Sequence, residues 1–279
     1  MTAPLGASGV LYVVSTPIGN LADMTLRGLE TLRAVAVILA EDTRHSRKLL
    51  DHFEIATPLV AHHEHNEAKT TPLFVARLQR GESMALITDA GTPLVSDPGA
   101  RLVAAAIDGG VRVVPIPGAS ALLAALVAAG LPAERFTFFG FLARKGNDRQ
   151  QEILAIRGLA HAAVLYESPN RLADTLAELG GNGLAERRAA VARELTKQFE
   201  EVRRGTVDEL ARYYADAPPR GEIVIVIEGA VETAASEESL RERARALRAG
   251  GASARDIVAA LTGEFGAARN VSYRLAHEP

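Results

Sequence analysis

Short apolar runs recur along the chain, and each gives way to a polar stretch rich in glycine and proline. The first two, at residues 10–15 and 35–40, have the character of buried strands, and an amphipathic helix is predicted between them over about residues 25–33. Together they form one strand–helix–strand unit. A third run at 84–88 leads into the turn-rich Asp89-Ala90-Gly91-Thr92-Pro93, and a helix over about 99–108 ends at Gly109-Gly110. A strand over 111–116 is closed by Pro117-Gly118-Ala119-Ser120, and a helix over 121–129 is stopped by Gly130 and Pro132. Strands alternating with helices predict a mostly parallel sheet covered on both faces.

Four of the eight phenylalanines fall in the segment 136–141, which reads as a strand packed on both faces, with base stacking as the alternative. A domain boundary is placed there. Strands over 162–166, 189–193 and 222–228 alternate with helices over 171–179 and 207–214, giving a second small α/β unit. From residue 236 onward the pattern changes to short helices without strands. One covers 240–249, a second covers 254–265 behind a capping-box-like start at Ser253 and Asp256, and a third begins near Ala267 or Ala268. The expected fold class is therefore α/β, with domains at 10–135 and 136–232 and a helix-turn-helix-like tail at 236–279. The tail's seven arginines are balanced by six acids, which fits a solvated helical cap as well as an RNA grip.

A length of 279 residues suits two domains, and 48% hydrophobic residues suit a globular enzyme. No apolar run approaches the roughly 20 residues of a bilayer span, and no basic or apolar leader precedes the first strand, so a cytoplasmic protein is expected. Cysteine is absent, which excludes disulfides, thiolate metal sites and cysteine nucleophiles. The net charge of −3 means that any contact with nucleic acid has to come from a local basic patch.

In an open parallel sheet the loops after the strands carry the ligand. The chain lacks the P-loop pattern and the glycine triplet of a dinucleotide fingerprint. His62-His63-Glu64-His65-Asn66-Glu67 does not match H-E-x-x-H, and consecutive positions cannot all face one ion, so no metal is expected. Substrate contact and ordinary loop hydrogen bonding remain open for it.

Six ordered motifs carry a resemblance. They are residues 15–21 (STPIGNL), 40–44 (AEDTR), 63–67 (HEHNE), 88–99 (TDAGTPLVSDPG), 117–121 (PGASA) and 166–171 (YESPNR). In this order they resemble the ribosomal RNA small-subunit methyltransferase I family, the RNA-modifying branch of the tetrapyrrole methylase superfamily, over about residues 10–229. The resemblance implies a two-domain tetrapyrrole-methylase-like fold, S-adenosylmethionine as cofactor, and transfer to a cytidine 2′-oxygen in the decoding region of 16S ribosomal RNA. It also implies a homodimer, with small-subunit ribosomal RNA or the 30S particle as partner. By position, the cofactor contacts implied are Pro17 and Ile18, then Gly91, Thr92 and Val95, then Ser120 and Ala121, and finally Tyr166, Leu195 and Glu222. Tetrapyrrole-modifying relatives carry Gly-Gly-Asp-Pro where this chain has Ala90-Gly91-Thr92-Pro93, which argues against a porphyrin-type substrate.

A ribose hydroxyl is a poor nucleophile near neutral pH, so a carboxylate or histidine within reach of its proton is expected. Glu41, Asp42, Asp89 and Glu167 each follow a predicted strand and are the catalytic candidates. Asp42 could equally pair with Arg44 or cap a helix, and Asp89 could fix its own loop. Candidate RNA contacts are Arg44, Arg47 and Lys48, then Arg144, Lys145 and Arg149, then Arg171 or Lys197, with Arg187-Arg188 and Arg203-Arg204 as weaker ones. The alternatives are a methyltransferase acting on a tetrapyrrole or corrin precursor, and a ribosome-assembly factor that binds RNA without catalysis.

Overall fold

The first sheet follows directly from the alternation of its strands, which are apolar on both faces. The computed structural model describes residues 8–230 and 237–278. Its first half runs β1 (Val10–Val14), α1 (Leu26–Ala34), β2 (Val37–Ala40), α2 (Thr43–His52), β3 (Leu59–Ala61), α3 (Glu67–Gln79), β4 (Met84–Ile87), α4 (Ala100–Asp108), β5 (Arg112–Ile116) and α5 (Ala121–Ala129). The five strands pair in parallel in the order β3-β2-β4-β1-β5. Side chains on successive strand residues point to opposite faces. Ile38 and Ala40 therefore join Leu29 and Leu32 of α1 and Leu50 of α2, while Val37 and Leu39 join Leu78 of α3 and Leu102 of α4.

The second half runs β6 (Phe136–Phe141), α6 (Asn147–Gly158), β7 (Ala162–Glu167), α7 (Leu172–Leu179), β8 (Arg188–Arg193), β9 (Glu201–Thr206), α8 (Val207–Asp216) and β10 (Ile223–Ile227). Its sheet has the order β6-β7-β10-β8-β9 and is mixed, since only β6 and β7 pair in parallel. One face, with Leu165, Val191 and Ile225, packs on α6, α7 and α8. The other, with Val164, Ala190 and Val226, packs on Ala125, Leu126 and Ala129 of α5. Thus α5 leaves the first sheet and covers the second, and the described residues up to 229 form one compact unit. It is apolar on nearly every side, as a helix between layers requires.

The described residues 237–278 form another unit. Its helices α9 (Glu237–Ala249), α10 (Ala254–Phe265) and α11 (Arg269–His277) enclose Leu240, Ile257, Leu261 and Leu275. The capping box expected at Ser253 and Asp256 is present. Arg241 pairs with Glu237, Glu238 and Glu278, Arg243 with Glu264, and Arg274 with Glu237, so these arginines are engaged inside the module. The expected limits at 232 and 236 lie outside the described residues. Among those residues no helix is long and apolar enough to cross a membrane.

The apolar pattern does not predict α2, β3, α3, α6 or β9. Each buries a narrow stripe or lies at a sheet edge, as the run Arg203-Arg204 within β9 illustrates. Arg149 corrects one expectation. It is only 7% exposed, and its guanidinium donates to Glu178 Oε2 at 2.6 Å, to the Ala143 carbonyl at 3.0 Å and to Thr175 Oγ1 at 3.0 Å. It holds α6 to α7 and is not free to meet a phosphate. Arg149→Ala should lower the unfolding free energy by about 2–3 kcal/mol, measured by urea denaturation, because buried partners lose their donor. RNA affinity of the folded variant should stay unchanged.

Candidate functional site

The consecutive strands β4 and β5 flank β1 on opposite sides, so the loops leaving their carboxyl ends diverge around a crevice, the usual ligand position in such sheets. Hydrogen bonds hold these loops together. Thr16 N–H donates to the Gly91 carbonyl at 2.8 Å, and Gly91 N–H returns to the Thr16 carbonyl at 3.1 Å. Thr16 Oγ1 donates to the Thr88 carbonyl at 3.1 Å. Ser15 Oγ and Thr92 Oγ1 lie 3.0 Å apart, and Thr92 Oγ1 reaches the Ala119 carbonyl at 3.2 Å. Gly91 has φ +80°, and a Cβ there would sit 3.3 Å from Ile18 Cγ2, so both its conformation and its neighbours favour glycine.

The loops border a cavity of about 440 Å³. Ile18, Gly91, Thr92 and Val95 line it from the first two loops, and Ser120 and Ala121 from the start of α5. Tyr166, Leu195 and Glu222 line it from the second sheet, beside Ile223 and Val224. The structure therefore brings together nine of the ten residues expected to touch a cofactor. Pro17 is the exception. It lines a smaller neighbouring cavity instead. Leu94 and Ser96, and Glu194 and Thr196 on either side of Leu195, all have positive φ, so strained backbone is gathered at this cavity.

Acidic residues gather at one end. Glu41 and Asp89 line the cavity, as expected, and so does Asp97, which lies in the 88–99 motif but is not among the expected site residues. Thr88 Oγ1 donates to Glu41 Oε2 at 3.2 Å. Burial, reinforced by the Asp89 charge, raises the Glu41 pKa. Burial, with the charges of Glu41 and Asp89 adding to it, lifts Asp97 to about 6. The signal that could have found Asp97 is its place in the loop between β4 and α4, two residues before the Gly99 that starts the helix.

The other two acids behave differently. Asp42 is not among the residues lining the cavity, which corrects the expectation that it faces the cleft. It accepts the Arg44 N–H at 2.8 Å as the N-cap of α2 and pairs with the Arg44 side chain at 3.1 Å, which lower its pKa to about 2. Glu167 lines the cavity but is almost wholly buried, with Oε1 accepting from Ser168 N–H at 2.8 Å and Oε2 from Thr175 Oγ1 at 2.7 Å. With Arg171 Nε 3.3 Å away, it fastens β7 to α7.

Arg44, Arg47 and Lys48 on α2, and Arg144 and Lys145 after β6, are exposed. Two further basic candidates are occupied by structure: Arg171 also bonds the Leu142 carbonyl, and Lys197 pairs with Glu194 and Glu222. Arg187 and Arg204 likewise donate to backbone carbonyls. In the phenylalanine strand, Phe138 and Phe141 meet the Tyr166 ring edge-on at 4.9 and 5.6 Å, and Phe141 is 55% exposed at the cavity. His62 is buried, with Nδ1 2.9 Å from Thr70 Oγ1, and burial lowers its pKa. Among the described residues no cluster of histidine, aspartate and glutamate is arranged to hold a metal ion.

A family profile for tetrapyrrole (corrin/porphyrin) methylases matches residues 10–211. A ribosomal RNA small subunit methyltransferase I from Synechocystis sp. is 45% identical over 97% of this chain and 98% of its own length. One from Mesorhizobium japonicum is 54% identical over 81% of this chain and 77% of its own length. Among solved structures, uroporphyrin-III-C-methyltransferase from Thermus thermophilus superposes with a TM-score of 0.58 at 21% identity, over 79% of this chain and 94% of that one. At that identity the likeness concerns the fold.

Holding Asp97 ionised costs stability. Its folded pKa lies above the ordinary value of 3.8, so its stabilising contribution is complete below that value and is lost as pH rises through about 6. Asp97→Asn should therefore be more stable than the wild type by about 1–2 kcal/mol at pH 8, after allowance for solvent screening. The gain should shrink toward zero as pH falls to 4, as followed by thermal melts across pH.

Proposed function

Since the chain belongs to the tetrapyrrole (corrin/porphyrin) methylase family, and within it to the ribosomal RNA small subunit methyltransferase I group, we propose that it methylates a cytidine 2′-hydroxyl in the decoding region of small-subunit ribosomal RNA. It is an rRNA methyltransferase that takes its methyl group from S-adenosylmethionine. The observation that carries the structural side of this reading is the meeting of Glu41, Asp89 and Asp97 at one end of a cavity with apolar walls. Its volume of about 440 Å³ falls within the roughly 300–1,000 Å³ of cofactor sites.

The residues present fit the donor. Gly91 leaves room for close approach where a Cβ would crowd Ile18. Ile18, Val95, Ala121 and Leu195 supply apolar surface for the adenosyl group, and Thr92, Ser120, Tyr166 and Glu222 supply polar contacts. The three carboxylates favour a cationic sulfonium nearby. When bound, S-adenosylmethionine supplies an activated methyl group.

Bringing the hydroxyl into line does most of the work in such a displacement. What remains is the proton. Asp97, with a pKa of about 6, is ionised at neutral pH and basic enough to accept it, and we assign it that role. Burial keeps it basic, and the charges of Glu41 and Asp89 add to the effect. Arg44 and Arg47, with Arg144 and Lys145, are exposed cations that suit RNA phosphates. The proposal includes a cytoplasmic homodimer acting on the ribosomal RNA or the assembled subunit.

Purified protein incubated with small ribosomal subunits should yield adenosylhomocysteine and 2′-O-methylcytidine by mass spectrometry. A tetrapyrrole precursor in parallel should yield neither. The reverse result would transfer the chain to the pigment-modifying reading, and turnover with neither substrate would favour a non-catalytic factor. Wild-type kcat should rise with pH through about 6 and then level, because protonated Asp97 cannot accept a proton. Asp97→Asn should lower kcat by about 100-fold or more and flatten that limb.

A further inference from the structure

Beside the donor cavity lies a second one, of about 220 Å³, between the loop after β1 and helix α2. The two cavities share Asp89, so whatever fills the smaller one lies next to the reacting atoms. Three features describe its occupant. Ser46 lines it, is only 2% exposed, and its Oγ has no hydrogen-bond partner, so a ligand atom there would satisfy a hydroxyl that folding has left unpaired. Lys48 lines it as an exposed cation, and among the described residues no acid pairs with it. Asp89 accepts one backbone hydrogen bond, from Asp42 N–H at 3.2 Å, which leaves acceptor capacity on its carboxylate. Pro17, Leu21 and Leu49 add apolar surface.

An anion fits this set poorly, because Asp89 faces it and Glu41 and Asp97 stand close to Asp89. A flat neutral group with a donor beside acceptors fits well. Cytosine has that edge: its amino group can donate to a carboxylate, and its ring nitrogen and carbonyl can accept from a hydroxyl and an ammonium. Uracil would turn a carbonyl toward Asp89. We infer that this second cavity holds the base of the methylated nucleotide, with Asp89 reading the cytosine amino group and Ser46 and Lys48 the adjoining acceptors. The inference rests on the RNA reading above. It requires the target base to leave its stack, as enzymes that work on single nucleotides do.

The test uses small subunits reconstituted with cytidine, uridine or adenosine at the methylated position, with wild type, Ser46→Ala and Lys48→Met. Wild type should favour cytidine over uridine by about tenfold or more in kcat/KM. Both variants should lower kcat/KM for cytidine and shrink that ratio, while adenosylmethionine affinity and melting temperature stay unchanged. Equal wild-type rates on cytidine and uridine, or an unaltered ratio in both variants, would overturn the subsite while leaving the methyltransferase reading intact. No transfer to any of the three by the wild type would overturn the RNA reading and the subsite with it.

Discussion

The site depends on one short backbone bridge, the pair of hydrogen bonds exchanged between Thr16 and Gly91 at 2.8 and 3.1 Å. Strands β1 and β4 are neighbours, but the loops leaving them have no ladder to keep them together, and a crevice between such loops would otherwise spread. The bridge is a separate antiparallel pair, formed where the loop after β4 turns back toward the end of β1 beyond the parallel sheet. Ser15, Thr92 and the Ala119 carbonyl carry it on to the loop after β5. Gly91 suits this position because its φ is +80° and Ile18 occupies the space beside it. Left-handed residues at Leu94 and Ser96 then carry the loop onward to Asp97.

That geometry accounts for the electrostatics. Glu41 comes from the loop after β2, and Asp89 and Asp97 from opposite ends of the loop after β4, yet all three line one cavity. Crowding and burial raise two of their pKa values. The arrangement makes the fold less stable at neutral pH and makes a carboxylate more useful as a base, a conflict typical of functional sites. A chain with net charge −3 thus concentrates acid where a cationic sulfonium fits, and leaves its exposed cations on α2 and after β6.

Strands β1, β2, β4 and β10 could be read from sequence because they are buried on both faces and appear as unbroken apolar runs. Helix α2 buries little more than Ser46, Leu49 and Leu50, so its polar sequence reads as a loop. Edge strands β3 and β9 are short or charged for the same reason. The six-motif resemblance, carried over by position, gives nine residues that line the cavity, where the post-strand loops meet. Sequence cannot tell that Arg149 turns inward, because a buried guanidinium and a surface one have the same neighbours in sequence. Nor does it reveal Asp97, whose position depends on backbone torsions after Gly91.

The most direct test of the bridged-loop account is calorimetric titration of S-adenosylmethionine into Gly91→Val, with circular dichroism to show that the fold is retained. A Cβ at 3.3 Å from Ile18 and a β-branched residue at φ +80° should disturb the bridge and weaken donor affinity at least about tenfold. A folded variant that binds the donor as tightly as wild type would contradict the claim that the Thr16–Gly91 bridge builds the site.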